Sequence, residues 1–194
     1  MRKRSPTKQR LIDAGWALLL ERGYHDLGIR TLLDATDIPK GSFYHHFRDK
    51  EDFALQVVEE YMGHVHGALD ACLGDEDSSP LERVRRFFEM TMEAYRQEGY
   101  MGCLMGGLGQ ELSGVSPVFR ERIEGCFAAI AARLAVCLEE ARRREDIPAE
   151  SDPQAMASLL VDCWEGAALR SRLRGNAEPL TAMLDFYFQS AAAR

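Results

Sequence analysis

With 194 residues and 46% hydrophobic side chains, the chain has enough apolar material for a core, which excludes wholesale disorder. No apolar run approaches the roughly 20 residues that a membrane span needs, and "MRKRSPTKQR" is not followed by a signal-peptide core, so a cytoplasmic protein with no membrane partner is expected. The net charge of −7 disfavours nucleic acid only until its distribution is read: residues 1–50 hold ten Lys/Arg against six Asp/Glu, and the remainder holds 14 against 25. That pattern suits a basic reading head on an acidic body.

Taken in chain order, the sequence reads as helices throughout. A basic arm (Arg2, Lys3, Arg4, Lys8, Arg10) leads into a first helix near 7–22, where Leu11, Gly15, Leu18 and Leu19 form one stripe and Gly23 ends it. Ile29, Leu32 and Leu33 predict a short second helix to about Thr36, and a turn at Asp37 leads to a third over 40–46. Asp49, with Asp52 three residues on, opens a long helix over about 50–73. "GDEDSSP" is a loop. Ser79-Pro80-Leu81-Glu82 starts a helix to about Gln97, and Ser116-Pro117 and Asp152-Pro153 open two more long ones. "GYMGCLMGGLGQEL", residues 99–112, is helix-like but interrupted by glycine, and a last helix covers about 178–192. No repeat is found. The expected organisation is all-α, with an N-terminal domain over 1–49 and a C-terminal domain over 50–194.

The stretch "IPKGSFYHHF" carries the strongest signal. On a helix, Phe43 and Phe47 share a face, leaving Lys40, Gly41, Ser42, Tyr44 and His45 outward. Gly41 weakens a helix by up to about 1 kcal/mol, and close approach of a partner's backbone is a reason to keep it. A short helix, a turn and this helix make a helix-turn-helix, whose second helix enters the major groove. The other reading is a packed aromatic cluster. Adjacent His45 and His46 do not converge on a helix, so no metal site is expected.

Residues 23–53, "GYHDLGIRTLLDATDIPKGSFYHHFRDKEDF", resemble the DNA-binding head of tetracycline-repressor-type (TetR/AcrR) regulators, and the helix order is similar over nearly the whole chain. Asp37 stands where the family has a turn glycine, and Leu33 where it has alanine. The resemblance implies a nine-helix fold and a homodimeric regulator, more often a repressor, with operator DNA and a small-molecule inducer as partners and no cofactor. It implies that Lys40, Gly41, Ser42, Tyr44 and His45 touch bases or phosphates, Arg30 and Thr31 the flanking backbone, and Lys50 a phosphate. It further implies dimerisation through helices 8 and 9, on which Met156, Leu159, Leu160, Cys163, Trp164 and Ala167, and Leu180, Met183, Leu184, Tyr187 and Phe188, recur at helical spacing.

Five widely spaced cysteines without a CxxC pair read as reduced thiols. Cys137 sits on an apolar stripe with Ile123, Phe127, Ile130 and Leu134, as a small buried hydrophobe would. Cys103 sits on none. "GCLMGGLGQEL" with "WEGAALRSRL" resembles the branch of the family that responds to electrophiles and unsaturated acids, such as N-ethylmaleimide, quinones, aldehydes or acrylate. The sensor residues that follow are Cys103, Trp164, Arg170 and Arg172, with an arginine stabilising a thiolate or holding a carboxylate. The alternatives are an ordinary non-covalent hydrophobic ligand, or a helical-bundle carrier or enzyme that binds no DNA. No Ser-His-Asp spacing, Glu-x-x-His motif or phosphate loop after a strand supports an enzyme.

Overall fold

A computed structural model describes residues 5–192. Arg2, Lys3 and Arg4 of the basic arm lie outside the described residues. Among the described residues there are nine helices and no strand: α1 (Pro6–Asp26), α2 (Ile29–Thr36), α3 (Lys40–His46), α4 (Lys50–Leu73), α5 (Pro80–Gln97), α6 (Leu104–Leu112), α7 (Pro117–Arg143), α8 (Pro153–Arg174) and α9 (Glu178–Ala191). The cap signals explain the boundaries. Ser79 and Glu82 form the reciprocal capping box at α5, and Asp152 accepts from the Gln154 and Ala155 amides at α8. Asp49 accepts from the Asp52 amide at 2.8 Å, while Asp52 accepts from that of Arg48 at 3.0 Å.

The chain forms two compact units. One runs to His64 and takes in Leu104–Glu121, while the other holds Val65–Cys103 and continues from Arg122. The division therefore falls inside α4, and α6 belongs with the first unit.

In the first unit, α1, α2, α3 and the start of α4 enclose Leu11, Ile12, Leu32, Phe43, Phe47, Phe53 and Val57, all buried. The three phenylalanine rings meet with centroids 5.1–5.5 Å apart. Gly23 breaks α1 at φ 77, ψ 178, a backbone that L side chains rarely adopt. The break frees the next amides, and Glu111 of α6 receives them: the Tyr24 N–H at 3.1 Å and the His25 N–H at 2.9 Å, with His25 Nδ1 at 3.1 Å. A Cβ on Gly23 would overlap this carboxylate. Ser116, before α7, donates to Glu51 Oε1 at 2.7 Å, and Phe119 meets the Tyr24 ring at 5.6 Å.

In the second unit, Trp164 of α8 packs on Phe88 and Tyr95 of α5, at 4.8 and 5.9 Å between centroids. Arg83 pairs with Glu140 at 2.6 Å and donates to the Leu73 carbonyl. Tyr187 of α9 donates to the Met156 carbonyl of α8 at 2.9 Å. Cys137 is buried as expected, its thiol 3.4 Å from the Pro80 carbonyl oxygen and its pKa raised by burial.

Two expectations change. Residues 98–103 are not helix-like: Gly99, Tyr100 and Gly102 all take positive φ, and helix resumes only at Leu104. The Tyr100 amide closes back on the Tyr95 carbonyl at 2.6 Å, which ends α5, and left-handed residues cannot continue a right-handed helix. On α8 the apolar residues divide: Leu160 and Trp164 are buried, while Leu159 is 56% exposed.

Glu111 yields a direct test. Burial works to raise its pKa, and the bonds from the His25 and Tyr24 amides and the His25 ring outweigh it, leaving it below the usual range. Glu111→Ala removes the acceptor of one part-buried and one exposed amide and should cost about 1 kcal/mol in urea unfolding at pH 7. A depressed carboxylate stabilises above its unfolded pKa and loses that effect as pH falls through its folded one, so the deficit should shrink below about pH 4.

Candidate functional site

The turn between α2 and α3 is set by Asp37, left-handed at φ 50, ψ 43, whose amide returns to the Leu33 carbonyl. Aspartate tolerates this conformation better than most residues, so it fills the place of a turn glycine. Arg10, expected as part of the basic arm, instead donates to the Thr36 carbonyl at 2.7 Å and holds the end of α2. Pro39 then opens α3.

With Phe43 and Phe47 inward, α3 presents Lys40, Gly41, Tyr44 and His45 to solvent and leaves Ser42 half-buried. Tyr44 is 49% exposed, unusual for an aromatic side chain beside a core, and Lys40 Nζ lies 5.9 Å from its ring. An open groove runs beside it, lined by Ile29, Arg30, Asp34, Lys40 and Tyr44. Arg30 is exposed, with Nε 3.7 Å from Asp34, and Thr31 is half-buried. His46 is turned away, 3.3 Å from Ser5 Oγ. Lys50 is half-buried, its Nζ 4.3 Å from the Tyr24 ring centroid, and burial pulls its pKa down against the opposing pull of Glu111 and Asp26. A Cβ on Gly41 would meet nothing within 4 Å, so packing within the chain does not demand a glycine there.

The expected sensor residues separate. Cys103 is 9% exposed and lies just before α6. Gly102, at φ 83, carries the chain against α8: a Cβ on it would stand 3.8 Å from both the Ala168 carbonyl oxygen and Arg172 Cδ. Glu165 of α8 neighbours the Cys103 side chain, and burial raises its pKa to about 7. Glu165, Ala168 and Arg172 follow i, i+3, i+7, so one face of α8 meets this segment. Trp164 is buried between Phe88 and Tyr95 as core. Arg170 is exposed and lies about 140° round the helix from Glu165, off the face that Gly102 approaches.

A helix-turn-helix with this outward face is a DNA-reading arrangement. The model described as "Bacterial regulatory proteins, tetR family" matches residues 11–57, and "Tetracyclin repressor-like, C-terminal domain" matches 80–187. The chain belongs to the TetR family. It is 39% identical over 173 residues to the transcriptional regulator AcuR of Cereibacter sphaeroides, covering 89% of this chain and 79% of AcuR. It is 30% identical over 175 residues to the HTH-type transcriptional repressor NemR of Escherichia coli K12, covering 90% and 88%. The structure of a TetR regulatory protein from Rhodobacter sphaeroides superposes with TM-score 0.93 at 36% identity, covering 97% and 100%. That of E. coli NemR in its reduced form superposes with TM-score 0.88 at 29% identity, covering 97% and 98%. The TetR family and these relatives are transcriptional regulators, not enzymes. Among the described residues no group of His, Cys, Asp or Glu could hold a metal, and no helix is long and apolar enough to cross a membrane.

The sequence reading missed two partners in this TetR-family chain. The Glu165–Arg172 spacing of seven was legible as one face of α8, but the position of Cys103 beside it was not. Glu111 gave no local signal, because its two amide donors lie 86 and 87 residues away.

Gly41 separates folding from DNA binding. Gly41→Ala should stabilise the free protein by up to about 1 kcal/mol, since alanine is the better helix former and its methyl meets open space. The same variant should lose operator affinity in a mobility-shift titration. Unchanged affinity would show that no DNA backbone approaches that position.

Proposed function

We propose that this TetR-family protein is a homodimeric cytoplasmic repressor that leaves its operator when a small electrophile or unsaturated acid is sensed near Cys103. On this reading Lys40, Gly41, Ser42, Tyr44 and His45 contact bases and phosphates, Arg30 and Thr31 the flanking backbone, and Lys50 a phosphate. Most of these contacts position the head, and those to base edges specify sequence. The relative NemR is a repressor, which supports repression here.

The observation that carries the sensing part is the place of Cys103. It is a buried thiol that directly follows the left-handed Gly102, neighbours Glu165, and is followed in the chain by α6. Helix α6 is in turn held to the break in α1 by Glu111. An adduct at Cys103 alters the start of the helix whose far end fixes the base of the head. A coupling of about 1–3 kcal/mol between effector and DNA states is enough for regulation.

Dimerisation is supported by the outward face of α8 and α9, where Leu159, Leu169, Leu173 and Phe186 are exposed, the last two at 70% and 74%. A two-fold axis through that face makes a self-complementary contact and sets two reading helices about 34–36 Å apart, one DNA turn.

The test is a mobility-shift assay on the protein's own upstream region with N-ethylmaleimide, acrylate, a quinone, methylglyoxal or hypochlorite. Release by one of these, abolished in Cys103→Ser, is the expected result. If Cys103→Ser releases DNA normally, sensing does not use the thiol, and release by an apolar, unreactive compound would identify an ordinary non-covalent ligand. For the dimer, Leu173→Asp with Phe186→Asp should give monomers by light scattering and weaken operator binding by at least about tenfold. A dimer that survives both changes would place the interface elsewhere.

A further inference from the structure

We propose that α8 crosses α8 of a second copy of this chain at Gly166, with Asp162 of each subunit paired to Arg170 of the other. This rests on dimerisation through the outward face of α8 and α9, and it supplies the register and the selecting contacts of that dimer.

The outward side of α8 carries an order that a plain apolar stripe lacks. Asp162, Gly166 and Arg170 are all exposed and follow i, i+4, i+8, which sets them on one row of the helix surface. The acid and the base stand about 12 Å apart along the axis, too far to pair within one helix. Neither has an ion-pair partner among the described residues, whereas Arg174 on the same row is taken by Glu178 at 2.9 Å. Gly166 stands midway between them. A Cβ on it would meet nothing within 4 Å, so packing within the chain does not demand glycine, which is the weaker helix former. A missing side chain on an exposed row does let a second backbone come close.

A two-fold operation turns this row onto itself. It brings the residue four before Gly166 to the residue four after Gly166 of the partner subunit, and the reverse, as a self-complementary contact requires. Rows of residues four apart run about 26° off the helix axis, so aligning two of them across a two-fold gives a crossing near −50°, the commonest class of helix packing. Acid then faces base at both ends, with the two glycines between. Leu159 falls to one side of the row and Leu169 and Leu173 to the other, and these exposed leucines, with Phe186 of α9, supply the apolar flanks. A parallel arrangement would instead set Asp162 against its own copy and Arg170 against its own. Like charges across an interface are costly, so the row selects the antiparallel crossing and a partner that carries the same row, which is this chain.

The test uses full-length variants, with light scattering for size and native mass spectrometry for composition. Asp162→Arg sets base against base, and Arg170→Asp sets acid against acid, so each should weaken its homodimer by at least about tenfold. Mixing the two single variants should give a heterodimer close to wild-type affinity, because both ion pairs are then restored. Carrying both reversals in one chain should restore the homodimer in the same way. Damage to folding gives no such rescue. Gly166→Leu should leave the subunit folded by circular dichroism, since its side chain meets open space there, and should weaken the dimer. Single variants that dimerise like the wild type, or that do not combine on mixing, would overturn the crossing. If Leu173→Asp with Phe186→Asp still dissociates the protein in that case, the outward face stands as the interface with another register. A wild-type chain that is monomeric would overturn the dimer and the crossing together.

Discussion

The pairing of Glu111 with the break in α1 constrains the whole first unit. A helix interrupted at Gly23 leaves amides with no intrahelical acceptor. One carboxylate takes two of them, which requires α6 to sit against α1 in one setting. The same carboxylate favours the charged form of Lys50 at the start of α4, and the ring of Tyr24 lies under that lysine. The base of the head is therefore assembled around a single acidic side chain. Gly23 is favoured twice over, for its left-handed φ and because a Cβ there would displace the Glu111 carboxylate.

This has a consequence for how a TetR-type head is set. The phenylalanine cluster fixes α3 within the head, and it is too tightly packed to respond to a weak stimulus. The polar joint at Glu111 is different, because hydrogen bonds exchange with water at small net cost, about 1 kcal/mol each. A device that must switch on a few kcal/mol is better built from the second kind of contact than from the first. The rigid core preserves the outward face of α3, and the joint at Glu111 is the softer contact within the same unit.

Much of this was legible in the sequence because local rules carried it. Ser79-Pro80-Leu81-Glu82 and Asp152-Pro153 name their own helix starts, and Phe43 and Phe47 four apart name the inward face of α3. Where reading failed, the cause was tertiary. Residues 98–103 carry glycines that permit either a poor helix or a left-handed link, and closure of the Tyr100 amide on Tyr95 decides it. Arg10 reads as part of a DNA-binding arm, yet the Thr36 carbonyl claims it. Leu159 fits the period of its helix but lies on the outward side, because an apolar period does not say which neighbour covers it.

The sensor region shows the same limit in chemical form. From residue types alone, a cysteine near two arginines suggests thiolate activation by cations, because spacing does not reveal direction. On α8 the two arginines are two residues apart, about 200° round the helix, and cannot serve one thiol. Arg172 shares the face of α8 that Gly102 approaches, and it is joined there by Glu165, an acid where only cations were expected. The distinction matters for selectivity. A cation-activated thiolate is reactive at rest toward any soft electrophile and toward oxidants. A carboxylate among the neighbours of a thiol works the other way, because a nearby negative charge disfavours the thiolate.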